Sequence, residues 1–267
     1  MNGLKILLCA LLMLSQTTHA KMNYGFKSLS VNYLNWTERT ESVSDWNTLH
    51  LGQKADFIYI EIEGGAGFDW GDIYGFIDME NPGKPVTSAP HHNRMATKGS
   101  LAYNLGETNL NLYAHIYTLN EKGFSDQNRV FGVSYDLNSD WGWWIKPFIG
   151  FHIQADVGSN GYMAGWVSSY SFKLKGLDFS ISNWHEIEFS RDQANQGFTT
   201  TLDTNGDGLN DDYFPTNGRS HGQNGAISLW YHMNNKITWG LQYRYADRKL
   251  GTPYYQDALI YSLKSNF

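Results

Sequence analysis

Acidic and aromatic side chains alternate along two neighbouring stretches of this chain. Residues 57–63 read Phe-Ile-Tyr-Ile-Glu-Ile-Glu, and residues 69–78 read Asp-Trp-Gly-Asp-Ile-Tyr-Gly-Phe-Ile-Asp. In an extended backbone every second side chain lies on the same face, so Tyr59 shares a face with Glu61, and Tyr74 shares a face with nearby acids. Such faces offer rings for stacking and carboxylates that accept hydrogen bonds. They indicate a surface that contacts small polar solutes.

The same period-two alternation recurs along the whole chain and predicts about twelve strands, most of them near the length that a tilted membrane strand requires. The predicted strands are 28–36, 56–63, 70–80, 95–105, 109–118, 129–138, 143–156, 162–174, 177–190, 223–233, 236–247 and 257–267.

The connections between these strands alternate in length. Short turns are predicted at 64–69, 106–108, 139–142, 175–176 and 234–235, and longer loops at 37–55, 81–94, 119–128, 191–222 and 248–256, with 157–161 of moderate length. Short turns on one side and long loops on the other are typical of outer-membrane β-barrels. The sequence therefore predicts an all-β, transmembrane, antiparallel up-and-down barrel with short periplasmic turns and long extracellular loops.

The last predicted strand runs to the end of the chain and finishes on Phe267. In outer-membrane barrels a terminal aromatic lies in the interfacial girdle, and the last strand closes on the first. We expect Leu259, Tyr261 and Leu263 to face lipid and Lys264 to face the lumen. An even number of strands would place both termini of the chain on the periplasmic side.

The first twenty residues are predicted to be a secretory signal peptide, which leaves residues 21–267 as one barrel domain. Lys5 precedes the apolar run 6–14, and the run of about nine residues falls short of the roughly 20 that span a bilayer as a helix. Cys9 is the only cysteine, so the domain would contain no disulfide. The formal net charge of −6 and the absence of a basic stripe argue against a nucleic-acid partner.

The segments 57–63 and 69–78 resemble the Tsx-like family of nucleoside-specific channel-forming outer-membrane proteins. The resemblance lies in an acidic alternating strand followed by Asp-x-Tyr-Gly-aromatic-x-Asp at 72–78. It implies a monomeric twelve-stranded barrel in the outer membrane of a Gram-negative bacterium, with a narrow, flattened pore that passes nucleosides. Some members of this family also serve as receptors for phage or bacteriocins, and no cofactor is implied.

In such a barrel the polar face of each strand lines the lumen. The predicted pore-lining, ligand-binding residues are Tyr59, Glu61, Asp72, Tyr74, Phe76, Asp78, Trp184, Glu186 and Arg244. Rings suit a nucleobase, and carboxylates suit ribose hydroxyls and exocyclic amines. The alternative is that these groups fill the barrel with charge pairs, such as Glu61 with Arg244.

Three other classes of protein remain as alternatives. A secreted β-sandwich would also show many alternating strands. A surface receptor or adhesin would depend on the loops rather than the pore. A lipid-modifying enzyme would need a nucleophile beside a base, but Ser182 and His185 are three residues apart on one strand and so face opposite ways. Ser220 and His221 lie in a glycine-rich loop without an evident acid. We therefore predict no catalytic residues.

The longest loop contains a candidate calcium site. Its sequence Asp-Thr-Asn-Gly-Asp-Gly matches the start of an EF-hand-type loop. The expected ligands, at loop positions 1, 3, 5, 7 and 9, are Asp203, Asn205, Asp207, the Leu209 carbonyl and Asp211. The twelfth position, where a bidentate Glu is expected, is Phe214, which weakens the site. The alternative is an ordinary Asn/Asp/Gly surface loop.

Calcium binding by this loop is directly testable. Isothermal titration of the purified protein with Ca²⁺ should give heat of binding in the weak, extracellular range of affinity. Asp207→Ala should abolish it, because it removes a central carboxylate ligand. Identical traces for the two proteins would eliminate the site.

Overall fold

Twelve antiparallel strands close into a barrel in the computed structural model of the protein. The structure describes residues 21–44, 54–85, 93–121, 124–155, 158–191, 197–199, 213–215, 220–249 and 254–267. The predicted signal segment and the predicted calcium ligands lie outside these residues.

The barrel is closed because every one of its strands pairs with two neighbours, and the last strand pairs with the first. In order around the wall, the strands are β1 (Met22–Trp36), β2 (Phe57–Phe68), β3 (Gly71–Glu80), β4 (Arg94–Asn104), β5 (Leu110–Glu121), β6 (Phe124–Tyr135), β8 (Trp143–Gln154), β9 (Gly158–Leu174), β10 (Leu177–Phe189), β13 (Gly222–His232), β14 (Ile237–Asp247) and β15 (Tyr255–Asn266). The predicted fold class and strand number are confirmed.

Three short strands and one helix lie outside this ring of twelve. Strand β7 (Leu137–Asn138) adds to the edge of β8, and β11 (Gly197–Thr199) pairs with β12 (Tyr213–Pro215). The helix α1 (Glu38–Val43) follows β1 and contacts β15. We call the end of the barrel that holds Met22 and Asn266 the turn end, and the opposite end, beside α1, the loop end.

Three predicted connections are wrong, because strands extend into them; one is 157–161, where β9 already begins at Gly158. β2 continues through the glycine-rich segment to Phe68, where it pairs with an early start of β1 that the alternation missed. β5 and β6 also extend until Glu121 pairs with Phe124, so the predicted loop 119–128 is a tight hairpin. Polar residues occupy both faces of that hairpin, which removes the period-two hydrophobic signal.

The two faces of the wall differ in polarity as the alternation predicts. Ile58 and Ile62 are about half exposed on the outside, at 51% and 55%, whereas Ser28 and Ser30 are buried inside. In the closing strand, Tyr261 and Leu263 are exposed and Lys264 lines the interior. An apolar outer face and a polar inner face suit a wall that stands in lipid.

Aromatic side chains form a continuous band on the outside at the turn end. Ring contacts run from Trp141 to Tyr170 (5.7 Å between centroids), on to Phe172 and Phe179, and from Phe179 to Tyr231 (5.1 Å). This band matches the aromatic girdle of a membrane interface. In the part of the chain that the structure describes, no helix is long and apolar enough to cross a membrane.

The β6–β8 pairing depends on a glycine. Gly132 lies directly opposite Gly150, and a Cβ at Gly132 would stand 2.0 Å from the Ile149 carbonyl oxygen. Backbone atoms cannot move aside without breaking the ladder. We expect Gly132→Ala to destabilise the barrel by about 1–3 kcal/mol, the usual cost of overpacking.

The matched control is Gly99→Ala, in a strand where the new Cβ would meet only Ile116 Cγ2 at 3.9 Å. The folded fraction after refolding into detergent micelles, measured by the mobility of unheated samples on a gel, should fall for Gly132→Ala and not for Gly99→Ala. Equal folding of both variants would contradict the argument.

Candidate functional site

The interior of the barrel contains a cavity of about 1110 Å³. All nine residues predicted to face the lumen line this cavity: Tyr59, Glu61, Asp72, Tyr74, Phe76, Asp78, Trp184, Glu186 and Arg244. Period-two alternation therefore places them on the inner wall, although Tyr59 and Glu186 are themselves largely buried there.

Two apolar clusters narrow the lumen from nearly opposite walls. The first joins β1, β2 and β15 through Leu34, Phe57, Tyr59, Ala258 and Ile260. The second joins β4, β5, β6, β8 and β9 through Ala102, Tyr113, Val130, Phe148 and Met163. The side chains of both clusters are buried, and the cavity is lined in part by members of each, among them Tyr59 and Phe148.

One ion-pair network spans the lumen. Lys98 on β4 reaches Glu186 on β10, with 2.6 Å between Nζ and Oε1. Lys249, from the loop after β14, folds inward and lies 2.8 Å from Glu186 and 3.4 Å from Glu188. Burial opposes the charge of Lys249, but the two carboxylates raise the pKa of this lysine above its ordinary value. Glu186 is therefore a structural cross-link as well as a lumen residue.

Another part of the wall carries the acidic and aromatic residues of β2 and β3. Glu61 and Asp78 lie directly across from each other in the strand ladder, both facing inward. Within the described part of the chain neither of them takes part in an ion pair, whereas Glu63 binds Lys264 at 2.6 Å and accepts a hydrogen bond from Tyr74 at 2.9 Å. Glu61 and Asp78 are thus acids of this wall that form no ion pair with a described residue.

Aromatic rings flank the acidic pair. Tyr59 is on the same face of β2, and Tyr74 contacts Phe76 edge to face at 6.4 Å between centroids. Across the ladder, the Lys264 ammonium lies 4.6 Å from the centroid of the Trp230 ring. Rings and hydrogen-bond acceptors therefore lie side by side on one wall, which is what a flat, hydroxylated solute requires.

The remaining predicted residues have different surroundings. Asp72 binds Lys146, which also lies 3.0 Å from Asp136. Arg244 makes no ion pair among the described residues, so the alternative pairing of Glu61 with Arg244 is not formed. Ion pairs between described lumen residues therefore neutralise only part of the charge in the lumen.

Several charged lumen residues were missed by the sequence analysis. Lys98, Lys146 and Arg94 lie on the polar faces of their strands, so the period-two alternation could have predicted their position in the lumen. Lys54 and Lys249 come from loops, whose direction no local pattern predicts.

The described residues do not support the enzyme alternative. Ser182 accepts a hydrogen bond from the Trp230 indole, whereas the His185 ring contacts the Tyr245 hydroxyl, so the two residues have different partners. Ser180 does approach His232 at 2.8 Å, but the other ring nitrogen of His232 faces the Thr238 hydroxyl instead of a carboxylate. The group that orients the base in a Ser-His-acid triad is therefore missing.

No cluster of three or more His, Cys, Asp or Glu side chains suited to a metal ion occurs among the residues that the structure describes. The calcium ligands expected at Asp203, Asn205, Asp207, Leu209 and Asp211 lie outside those residues and stay a prediction. The receptor alternative likewise depends largely on loop residues outside the described ranges.

A closed β-barrel with an apolar outside and a hollow, polar inside defines a channel-forming membrane protein. Residues 31–267 match the family described as "Nucleoside-specific channel-forming protein, Tsx", and the chain belongs to this family. The recognition made from the sequence is confirmed.

Two solved structures are similar to this chain at low sequence identity. The NanC porin is 12% identical, with a TM-score of 0.50, and the match covers 89% of this chain and 98% of that one. An outer-membrane channel from Pseudomonas putida F1 is also 12% identical, with a TM-score of 0.41, over 93% and 97% of the two chains.

The cross-link through Glu186 leads to a prediction about stability. Glu186→Gln would leave Lys98 and Lys249 without their shared counter-ion, and loss of one partner from a buried ion pair costs about 3–5 kcal/mol. The urea concentration at the unfolding midpoint, measured in lipid vesicles, should fall. Glu107→Gln, at an exposed turn residue, is the control and should leave it unchanged. If the wild type and Glu186→Gln unfolded at the same urea concentration, the ion-pair network would contribute no stability.

Proposed function

We propose that this protein is a passive channel for nucleosides in the outer membrane of a Gram-negative bacterium. The observation that carries the proposal is the lumen wall on which the acids Glu61 and Asp78, neither of them in an ion pair with a described residue, lie beside the rings of Tyr59, Tyr74 and Phe76. Membership of a nucleoside-specific family supports this choice of solute.

The chemistry of the wall is complementary to a nucleoside. A base that stacks on a protein ring gains about 1–3 kcal/mol, and carboxylates accept hydrogen bonds from ribose hydroxyls and exocyclic amines. Each contact is weak, and conduction requires weakness because a solute held tightly at one site would not leave it. A series of such sites along one wall would guide the solute without trapping it.

The location follows from the outer surface. The apolar belt and the aromatic band at the turn end suit a bilayer, and a barrel with no free edge satisfies its backbone hydrogen bonds there. In the proposed orientation the turn end faces the periplasm and the loop end faces outward. Each chain encloses its own lumen, so a monomer is sufficient for passage.

Stacking in the lumen can be separated from general ion conduction. The double variant Tyr74→Ala/Phe76→Ala removes two rings without changing charge. Adenosine should interrupt the single-channel current through the wild type in a planar bilayer. In the variant, the adenosine concentration for half-maximal interruption should rise by about tenfold or more, as expected for the loss of about 1.4 kcal/mol or more of stacking.

The KCl conductance of the double variant should change far less than its response to adenosine. Tyr103→Ala, which removes a ring from the outer surface, is the matched control and should behave as the wild type does. Parallel losses of conductance and adenosine response would refute the stacking role.

A further inference from the structure

A second, smaller cavity of about 120 Å³ opens above the central one at the loop end. We call it the vestibule, and its lining is Trp36, Lys54, Phe57, Glu80, Arg94, Tyr117, Leu119, Asp126, Arg244, Tyr245, Ala246 and Gln256. Glu80, Tyr117 and Arg244 line both cavities, so these three residues separate the vestibule from the nucleoside path below.

Three cations face the vestibule, and only one of them has a counter-ion. Arg94 binds Glu80. Lys54 and Arg244 form no ion pair with any described residue, and the ammonium of Lys54 instead lies 5.4 Å from the centroid of the Trp36 ring. The other acid in the lining, Asp126, accepts hydrogen bonds from the amides of Asn128 and Gln154. The vestibule therefore holds two cationic side chains that form no ion pair with a described carboxylate.

Lys54 is fixed at this position by the fold. Its backbone N–H donates to the Ser44 hydroxyl at 2.9 Å, and Ser44 is the buried residue that ends α1. The helix is attached to the barrel because the hydroxyls of Thr37 and Thr40 donate to Asp257 at 2.6 Å and 3.0 Å. A free surface lysine would not be held by such a chain of contacts.

The electrostatics of Lys54 agree with an unneutralised site. Burial, together with the nearby Arg94 and Arg244, lowers the pKa of Lys54 to about 8, which means that bringing these cations together carries a cost. The ionisable groups around it are Arg94, Arg244, Glu80, Glu121, Asp126, Tyr117 and Tyr245. A bound anion would lower this cost by supplying the missing negative charge.

We propose that the vestibule is an anion-binding site that takes the oxyanion of a phosphate ester, sulfate or carboxylate between Lys54 and Arg244. The Trp36 and Phe57 rings beside them provide an apolar wall for the rest of such a solute. This goes beyond the passage of neutral nucleosides. Below the vestibule the lumen wall carries the acids Glu61 and Asp78, so we expect an anionic solute to stay at the entrance longer than a neutral one.

The test compares adenosine 5′-monophosphate with adenosine in single-channel recordings of the intact protein, with solute added at the loop end. In the wild type, the monophosphate should interrupt the current. For Lys54→Met, the monophosphate concentration for half-maximal interruption should rise at least tenfold, while the response to adenosine stays the same. Lys54→Arg, which keeps the charge, should behave as the wild type does, and so should Lys84→Met, a change at an exposed loop lysine.

Sulfate provides a second arm, because it stays fully ionised over the range in which Lys54 titrates. Sulfate should compete with the monophosphate in the wild type, and this competition should weaken as the pH rises through about 8, where Lys54 loses its charge. In Lys54→Arg it should persist. Absence of any monophosphate effect on the wild type would overturn the proposal. Equal loss of the adenosine and monophosphate responses in Lys54→Met would also overturn it, since that shows a structural role.

Discussion

The hydrogen bonding of the backbone is the constraint on which the rest of this structure depends. In lipid an unpaired N–H or C=O costs several kcal/mol, so a sheet can cross only if it closes on itself. Pairing of β15 with β1 completes that closure, with Tyr33 opposite Tyr261 and Ser30 opposite Lys264. Once the wall is closed, each side chain of a strand faces either lipid or the lumen. Which of the two it faces depends on whether its position along the strand is odd or even, and this alternation determines which residues line the pore.

This alternation of inward and outward positions explains how much of the structure could be predicted from the sequence. The twelve strands and the inner position of residues such as Glu61 and Asp78 were predictable, because a strand with one apolar face shows its period locally. The hairpin at Glu121 and Phe124 was not predictable from the sequence, because the part of a strand that extends beyond the lipid does not need an apolar face. The contact between Lys98 and Glu186 was also beyond prediction. It joins residues 88 positions apart, and their distance is set by barrel width and strand stagger.

The lumen charges that form no ion pair with a described residue lie at two levels of the barrel. Cations without a counter-ion lie at the loop end around Lys54 and Arg244, while the acids Glu61 and Asp78 lie farther inside. A neutral solute experiences little of this field, whereas an ion of either sign is attracted at one level and repelled at another. The channel can thus discriminate between solutes by their charge because charged groups lie at different depths of the pore, without any single tight binding site.

The ion pairs that cross the lumen have a mechanical consequence. A ladder of strands fixes the circumference of a barrel but not its outline, because a closed wall can flatten or become round without losing a hydrogen bond. Lys98–Glu186 joins β4 to β10, and Lys146–Asp72 joins β8 to β3. Both ion pairs connect strands that are not neighbours in the wall, so they oppose a change of outline under the lateral pressure of the surrounding membrane.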